Sequence, residues 1–146
     1  MKNFYIVASL LISIITSGYL LGHCQVPCGV YTDELRFMQM LEDQTTIEKS
    51  SKLILELSNK DDGQSHNQLA RWVATKESHA SKIQKIIAEY FLTQRIKSSS
   101  KHYEKLLKGA HSVMVAAMKC KQYTETSAAN DLKSSILAFQ KIYESK

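Results

Sequence analysis

The chain has 146 residues, 44% hydrophobic and 23% charged, the composition of one globular domain rather than a disordered or collagen-like chain. Five Gly and the single Pro27 exclude an all-β protein, which needs many turn residues, and three cysteines are too few for a disulfide scaffold. The formal charge of +5, from 19 Lys and Arg against 14 acids, is spread along the chain without the clustered basic run that nucleic-acid binding uses.

Residues 1–22 read as a cleaved leader. Lys2 is their only charge, and Phe4 to Thr16 is an almost unbroken apolar run, shorter than the roughly 20 residues of a membrane span. A basic start, an apolar centre and the small residues Ser17, Gly18 and Gly22 match an export signal, with an uncleaved anchor helix as the alternative. His23 directly before Cys24 argues against lipidation. Leu20 suits an ordinary signal peptidase badly for a cut after Gly22, so a dedicated maturation protease is expected. The compartment expected is periplasmic or extracellular, with no membrane attachment after cleavage; a cytoplasmic protein with a processed pro-leader is the alternative.

Residues 23–31, His-Cys-Gln-Val-Pro-Cys-Gly-Val-Tyr, cannot be helical, because Pro27 and Gly29 bracket Cys28. From Thr32 onward the chain is repeatedly helical. A first helix is expected over Asp33 to Asn59, with Phe37, Met40, Leu41, Gln44, Ile47, Ser51, Ile54 and Leu55 on one face. Asp33 and Glu34 favour its positive end, and Lys60-Asp61-Asp62-Gly63 stops it. Ser65 and Gln68 have the spacing of a capping box for a second helix. Its stripe is Leu69, Trp72, Val73, Ala80, Ile83, Ile87 and Tyr90. Ser98, Ser99 and Ser100 supply a break and a cap. A third helix carries Tyr103, Leu106, Leu107, Ala110, Val113, Met114 and Ala117, and Cys120 to Thr124 connects it to a fourth, Thr126 to Glu144, which buries Ala129, Leu132, Ile136, Phe139 and Tyr143. The fold expected is all-α: an antiparallel up-down four-helix bundle over 32–146, preceded by a hook at 23–31.

The bundle carries no evident chemistry of its own. It lacks paired Glu-x-x-His motifs, the HExxH zinc signature and a glycine-rich phosphate loop. His66, His102 and His111 are scattered and read as surface residues. His79 lies nearer the apolar face and reads as a packing histidine, and Cys120 as an inert buried thiol.

The hook is different, because an imidazole, two thiols and, after cleavage at Gly22, a free α-amine fall within nine residues. A Cys24–Cys28 disulfide without function is one reading. The other is a metal site. The amine of His23, the amide nitrogen of Cys24 and the Cys24 sulfur close two fused chelate rings, and Cys28 completes a plane of two nitrogens and two sulfurs. Such planes suit Ni(II) and Cu(II), whereas structural zinc wants a closed tetrahedron. The ring of His23 can approach from the open axial side.

His-Cys-x-x-Pro-Cys-Gly-x-Tyr at a processed N-terminus resembles the nickel hook of nickel superoxide dismutases, matched here by His23, Cys24, Pro27, Cys28, Gly29 and Tyr31. The resemblance covers 23–146 and implies one nickel ion per subunit. The ligands it implies are the amine and ring of His23, the amide nitrogen and thiolate of Cys24, and the thiolate of Cys28. It further implies a cis bond before Pro27, a guard role for Tyr31 at the metal opening, and assembly as a homohexamer. In some members a carboxylate on the first helix, paired to an arginine on the second, holds the axial histidine. This chain has Met38, Gln39 and His79 around those positions, and Glu42 and His79 are the candidates.

The reaction implied is conversion of two superoxide ions to oxygen and hydrogen peroxide, with nickel alternating between Ni(III) and Ni(II). Two rivals stay open: an exported four-helix binding module closed by a Cys24–Cys28 disulfide, and a copper-binding or metal-delivery protein using the same N-terminal chelate.

Overall fold

The computed structural model describes residues 32–145. Four helices and no strand make up these residues: α1 (Asp33–Leu57), α2 (Gly63–Lys85), α3 (Tyr103–Gln122) and α4 (Thr126–Glu144). A π-helical segment, Ile86–Arg95, continues α2. Short loops force neighbouring helices to run antiparallel. Long-range pairs agree: Asp33 meets Tyr143 while Gln44 meets Ala129, so α1 and α4 run in opposite directions. α1 packs on α2 and α4, and α3 packs on the same two, which closes the bundle.

The core follows the helical period. Phe37, Met40, Ile47, Ala80, Ile83, Ile87, Leu106, Ala110, Val113, Leu132, Ile136 and Phe139 are fully enclosed. At one end, Phe37, Phe91, Phe139 and Tyr143 form an aromatic cluster with ring centroids 4.8 to 6.0 Å apart. Such pairs add about 0.5–1.5 kcal/mol each beyond their buried area. Gly109 lets α3 approach α4 closely, since a Cβ there would sit 3.0 Å from Phe139 Cδ2.

Several expectations need correction. Leu55 and Val73 are 44% and 41% exposed, not core. On α2 the inward line runs Trp72, Lys76, Ala80, so a lysine occupies the slot and Val73 turns outward. The cap of α2 is Asp62, whose Oδ1 accepts from the Ser65 amide at 2.9 Å and whose Oδ2 accepts from the Ser65 hydroxyl at 2.6 Å. Ser65 is thus the third helical residue and not the cap. Cys120 lies inside α3, which runs on to Gln122 rather than ending at residue 120. α4 has the bounds expected.

The extra length of α3 has an electrostatic cause. Lys76, only 3% exposed, aims its ammonium at the end of α3. Its Nζ donates to the carbonyls of Cys120 (2.5 Å), Lys121 (2.9 Å) and Tyr123 (3.0 Å). A helix end leaves such carbonyls without intrahelical partners and carries partial negative charge, so a cation there satisfies both demands.

Candidate metal centre

The hook residues His23, Cys24, Cys28 and Tyr31 lie outside the described residues, as does the leader. The structure describes the start of α1, which follows them in the chain. Thr32 caps α1, its Oγ1 accepting from the Leu35 amide at 3.3 Å, so the chain enters the helix in extended geometry.

The next residue, Asp33, gathers three elements. Its Oδ1 accepts from the Tyr90 hydroxyl at 2.5 Å, and its Oδ2 from the Tyr143 hydroxyl at 2.8 Å. Arg95 Nε pairs with Oδ1 at 2.8 Å, and Arg95 Nη2 donates to the Tyr90 oxygen at 2.9 Å. Burial, reinforced by the Asp33 carboxylate, pushes both phenols above the ordinary tyrosine range, so both remain donors. Tyr90 and Arg95 are five residues apart, which at 3.6 residues per turn would separate them by about 140°. The π-helix, bonded at five-residue steps, stacks them on one face. The guanidinium carbons of Arg36 and Arg95 lie 5.1 and 5.0 Å from the Tyr90 ring centroid.

Beside this knot a groove of about 500 Å³ runs between α1 and the α2–π rod. Arg36, Lys82 and Lys85 supply cations to its walls, and Glu42, Asp43 and Glu89 supply anions. Of the two candidates to hold the axial histidine, Glu42 lines the groove and is exposed, while His79 bonds to Asp43 rather than to Glu42. The Asp43 Oδ1 to His79 Nδ1 distance is 2.6 Å. Burial raises the Asp43 carboxyl above its ordinary range, and His79 opposes that shift. Gln39 accepts from Arg36 Nη1 at 2.8 Å, and Met38 is exposed.

None of the remaining candidates lines the groove. His66 and His111 are exposed and His102 is half-buried. Cys120 is a free, buried thiol whose Sγ donates to the Ala128 carbonyl at 3.3 Å, and burial pushes its pKa up to about 11. Among the described residues no three His, Cys, Asp or Glu side chains converge to hold a metal, and no helix is long and apolar enough to cross a membrane.

Asp33, Arg95 and the hydroxyls of Tyr90 and Tyr143 are what sequence reasoning missed. Asp33 read as a helix-dipole residue and the tyrosines as core. The available signal was that a tyrosine in a core stripe must find a partner for its hydroxyl, and that Asp33 lies two residues after Tyr31.

The hook's donor set fits nickel. The thiols of Cys24 and Cys28 and the imidazole of His23 are the soft and borderline donors that would hold such an ion. Comparison with curated proteins and with solved structures finds no match. A family comparison does: the description "nickel-containing superoxide dismutase" matches residues 19–146, which take in the hook and all four helices. The chain therefore belongs to the nickel-containing superoxide dismutases, enzymes that carry nickel as their cofactor.

Proposed function

We propose that this dismutase works through its N-terminal hook after cleavage behind Gly22, with His23 as the new terminus. The observation that carries the reading is the hook itself, six defined positions within nine residues, at the start of a chain of the matching family. The metal ligands are the amine and ring of His23, the amide nitrogen and thiolate of Cys24, and the thiolate of Cys28. Nickel held there would supply a one-electron Ni(III)/Ni(II) couple for the exchange of one electron between two superoxide ions.

The chain's residues do the rest. The two thiolates and the deprotonated amide donate electron density, and ligand identity is a protein's main lever on such a couple. One superoxide leaves as oxygen; the second gains an electron and two protons and leaves as hydrogen peroxide. Tyr31 guards the opening, orders small anions and water there, and limits exposure of the thiolates to peroxide. The net positive charge draws the anionic substrate toward the protein. The maturation protease frees the amine ligand, because an acylated amine cannot serve. The leader directs export, and the mature chain, 23–146, assembles as a homohexamer.

Native mass spectrometry of the processed protein from nickel-containing medium tests this reading. A chain beginning at His23, with one nickel each and assembled in sixes, is the expected result. A metal-free monomer lighter by two hydrogens would instead indicate the Cys24–Cys28 disulfide module. A chain that takes up copper in place of nickel and supports no superoxide turnover with either metal would favour the metal carrier.

A further inference from the structure

We propose that Asp33 is a positioning residue for the hook: its carboxylate locks the first residue of α1 to the π-helical segment and to the last turn of α4, and so fixes how Cys28 and Tyr31 are presented. The inference rests on the metal reading of the hook.

Four observations support it. Asp33 follows Tyr31 by two residues, with only the cap residue Thr32 between them, so the first turn of α1 is where the hook joins the described bundle. First turns fray by default, because their amides lack intrahelical acceptors. Here the first turn is tied at one carboxylate to Tyr90 and Arg95 on one side and to Tyr143 on the other.

The tie is also not what closes the core. Phe37, Phe91, Phe139 and the ring of Tyr143 already pack together at that end, and a phenylalanine at 143 would fill the same space. What the hydroxyl adds is the bond to Asp33 Oδ2. Finally, the π-helix has a specific consequence here. It is the register that brings Tyr90 and Arg95, five residues apart, to the same oxygen of Asp33. Such segments are rare and concentrate at functional sites.

The test uses the processed, nickel-loaded enzyme as wild type, Asp33→Asn, Tyr143→Phe and the control Ile136→Val. Ile136 is fully buried away from the knot and lowers stability by ordinary core loss. The readouts are the rate of nickel loss to excess EDTA and the thiolate-to-nickel absorption band. Asp33→Asn and Tyr143→Phe are expected to release nickel at least about tenfold faster, the factor that corresponds to 1.4 kcal/mol. Their absorption band shifts, while Ile136→Val keeps the wild-type band and release rate. Tyr143→Phe keeps the core filled and serves where Asp33→Asn fails to fold. Wild-type release and band in Tyr143→Phe would overturn the proposal, as would equally fast release from Ile136→Val. A wild-type chain that takes up no nickel fails at the metal reading itself and overturns both.

Discussion

Replacing Lys76 by Met removes the ammonium and keeps the aliphatic stem, so the experiment isolates one charge and its three bonds. The wild-type amine donates to the carbonyls of Cys120, Lys121 and Tyr123 at 2.5, 2.9 and 3.0 Å. After substitution water can reach two of them: Tyr123 is 52% exposed and Lys121 is half-buried. The Cys120 carbonyl belongs to a residue 1% exposed and is left without its lysine donor. An orphaned buried acceptor costs about 1–3 kcal/mol, and bonds to a charged donor are worth about 1.5–3 kcal/mol each before desolvation is counted. Desolvation runs the other way. Burial pushes the Lys76 ammonium below the ordinary lysine range, which marks the cost of holding the charge inside. With two acceptors re-solvated and one stranded, Lys76→Met is expected to lower stability by about 2 kcal/mol. For a domain of this size that is a fall of roughly 6–10 °C in Tm.

Urea unfolding at fixed protein concentration, with the metal state held the same in both proteins, measures the difference. Amide hydrogen exchange should localise it to the last turn of α3 and the Tyr123–Glu125 loop. A Lys76→Met protein as stable as wild type, or more so, would refute the reasoning. Desolvation would then outweigh the three bonds, as it does when some buried ion pairs are replaced by apolar side chains.

Cys120 predicts the alkaline limb of stability. Its thiol titrates near 9.0 when unfolded and at about 11 when folded, so the native state binds more protons between those values. Stability from this group is complete below pH 9 and is lost on going to pH 11, on the order of 2 kcal/mol. Cys120→Ala should show a shallower decline over that window in urea unfolding; parallel curves for the two proteins would sink the assignment. At the hook, Tyr31→Ala should speed inactivation by hydrogen peroxide while the nickel content before exposure stays at wild-type level. Unchanged inactivation kinetics would remove the guard role from Tyr31.

The bundle was legible because its information is periodic. Apolar residues at three- and four-residue steps located all four helices, and the sharp bounds of α4 follow from the Tyr123–Glu125 break and the Ala-rich start. Caps were less legible. Asp62 stands beside Gly63 in what reads as a terminator, yet its carboxylate begins the next helix. The π-helical segment escaped because a 3.6-residue template has no place for a five-residue step. The crowded apolar run from Ile86 to Leu92 was the trace it left. Lys76 escaped too, since a charge is assigned to the solvent side until a partner 44 residues away reveals why it is inside.

The site divides along the same line. The hook's residues lie within nine positions of the chain, so the chemistry proposed for it depends on local order and could be proposed from the sequence alone. Its platform depends on contacts across 57 and 110 residues, from Asp33 to Tyr90 and to Tyr143, and no local pattern announces them. That separation also says what each part contributes. A hook carries its donors in its own sequence, but a chain of single bonds does not by itself fix the direction in which they point. Direction has to come from something rigid. Here the rigid element is a helix start held by one carboxylate against two tyrosines and an arginine, above a packed aromatic core. Loss of a donor from the hook should therefore abolish the metal centre, whereas loss of the knot should leave a centre that forms and is badly held.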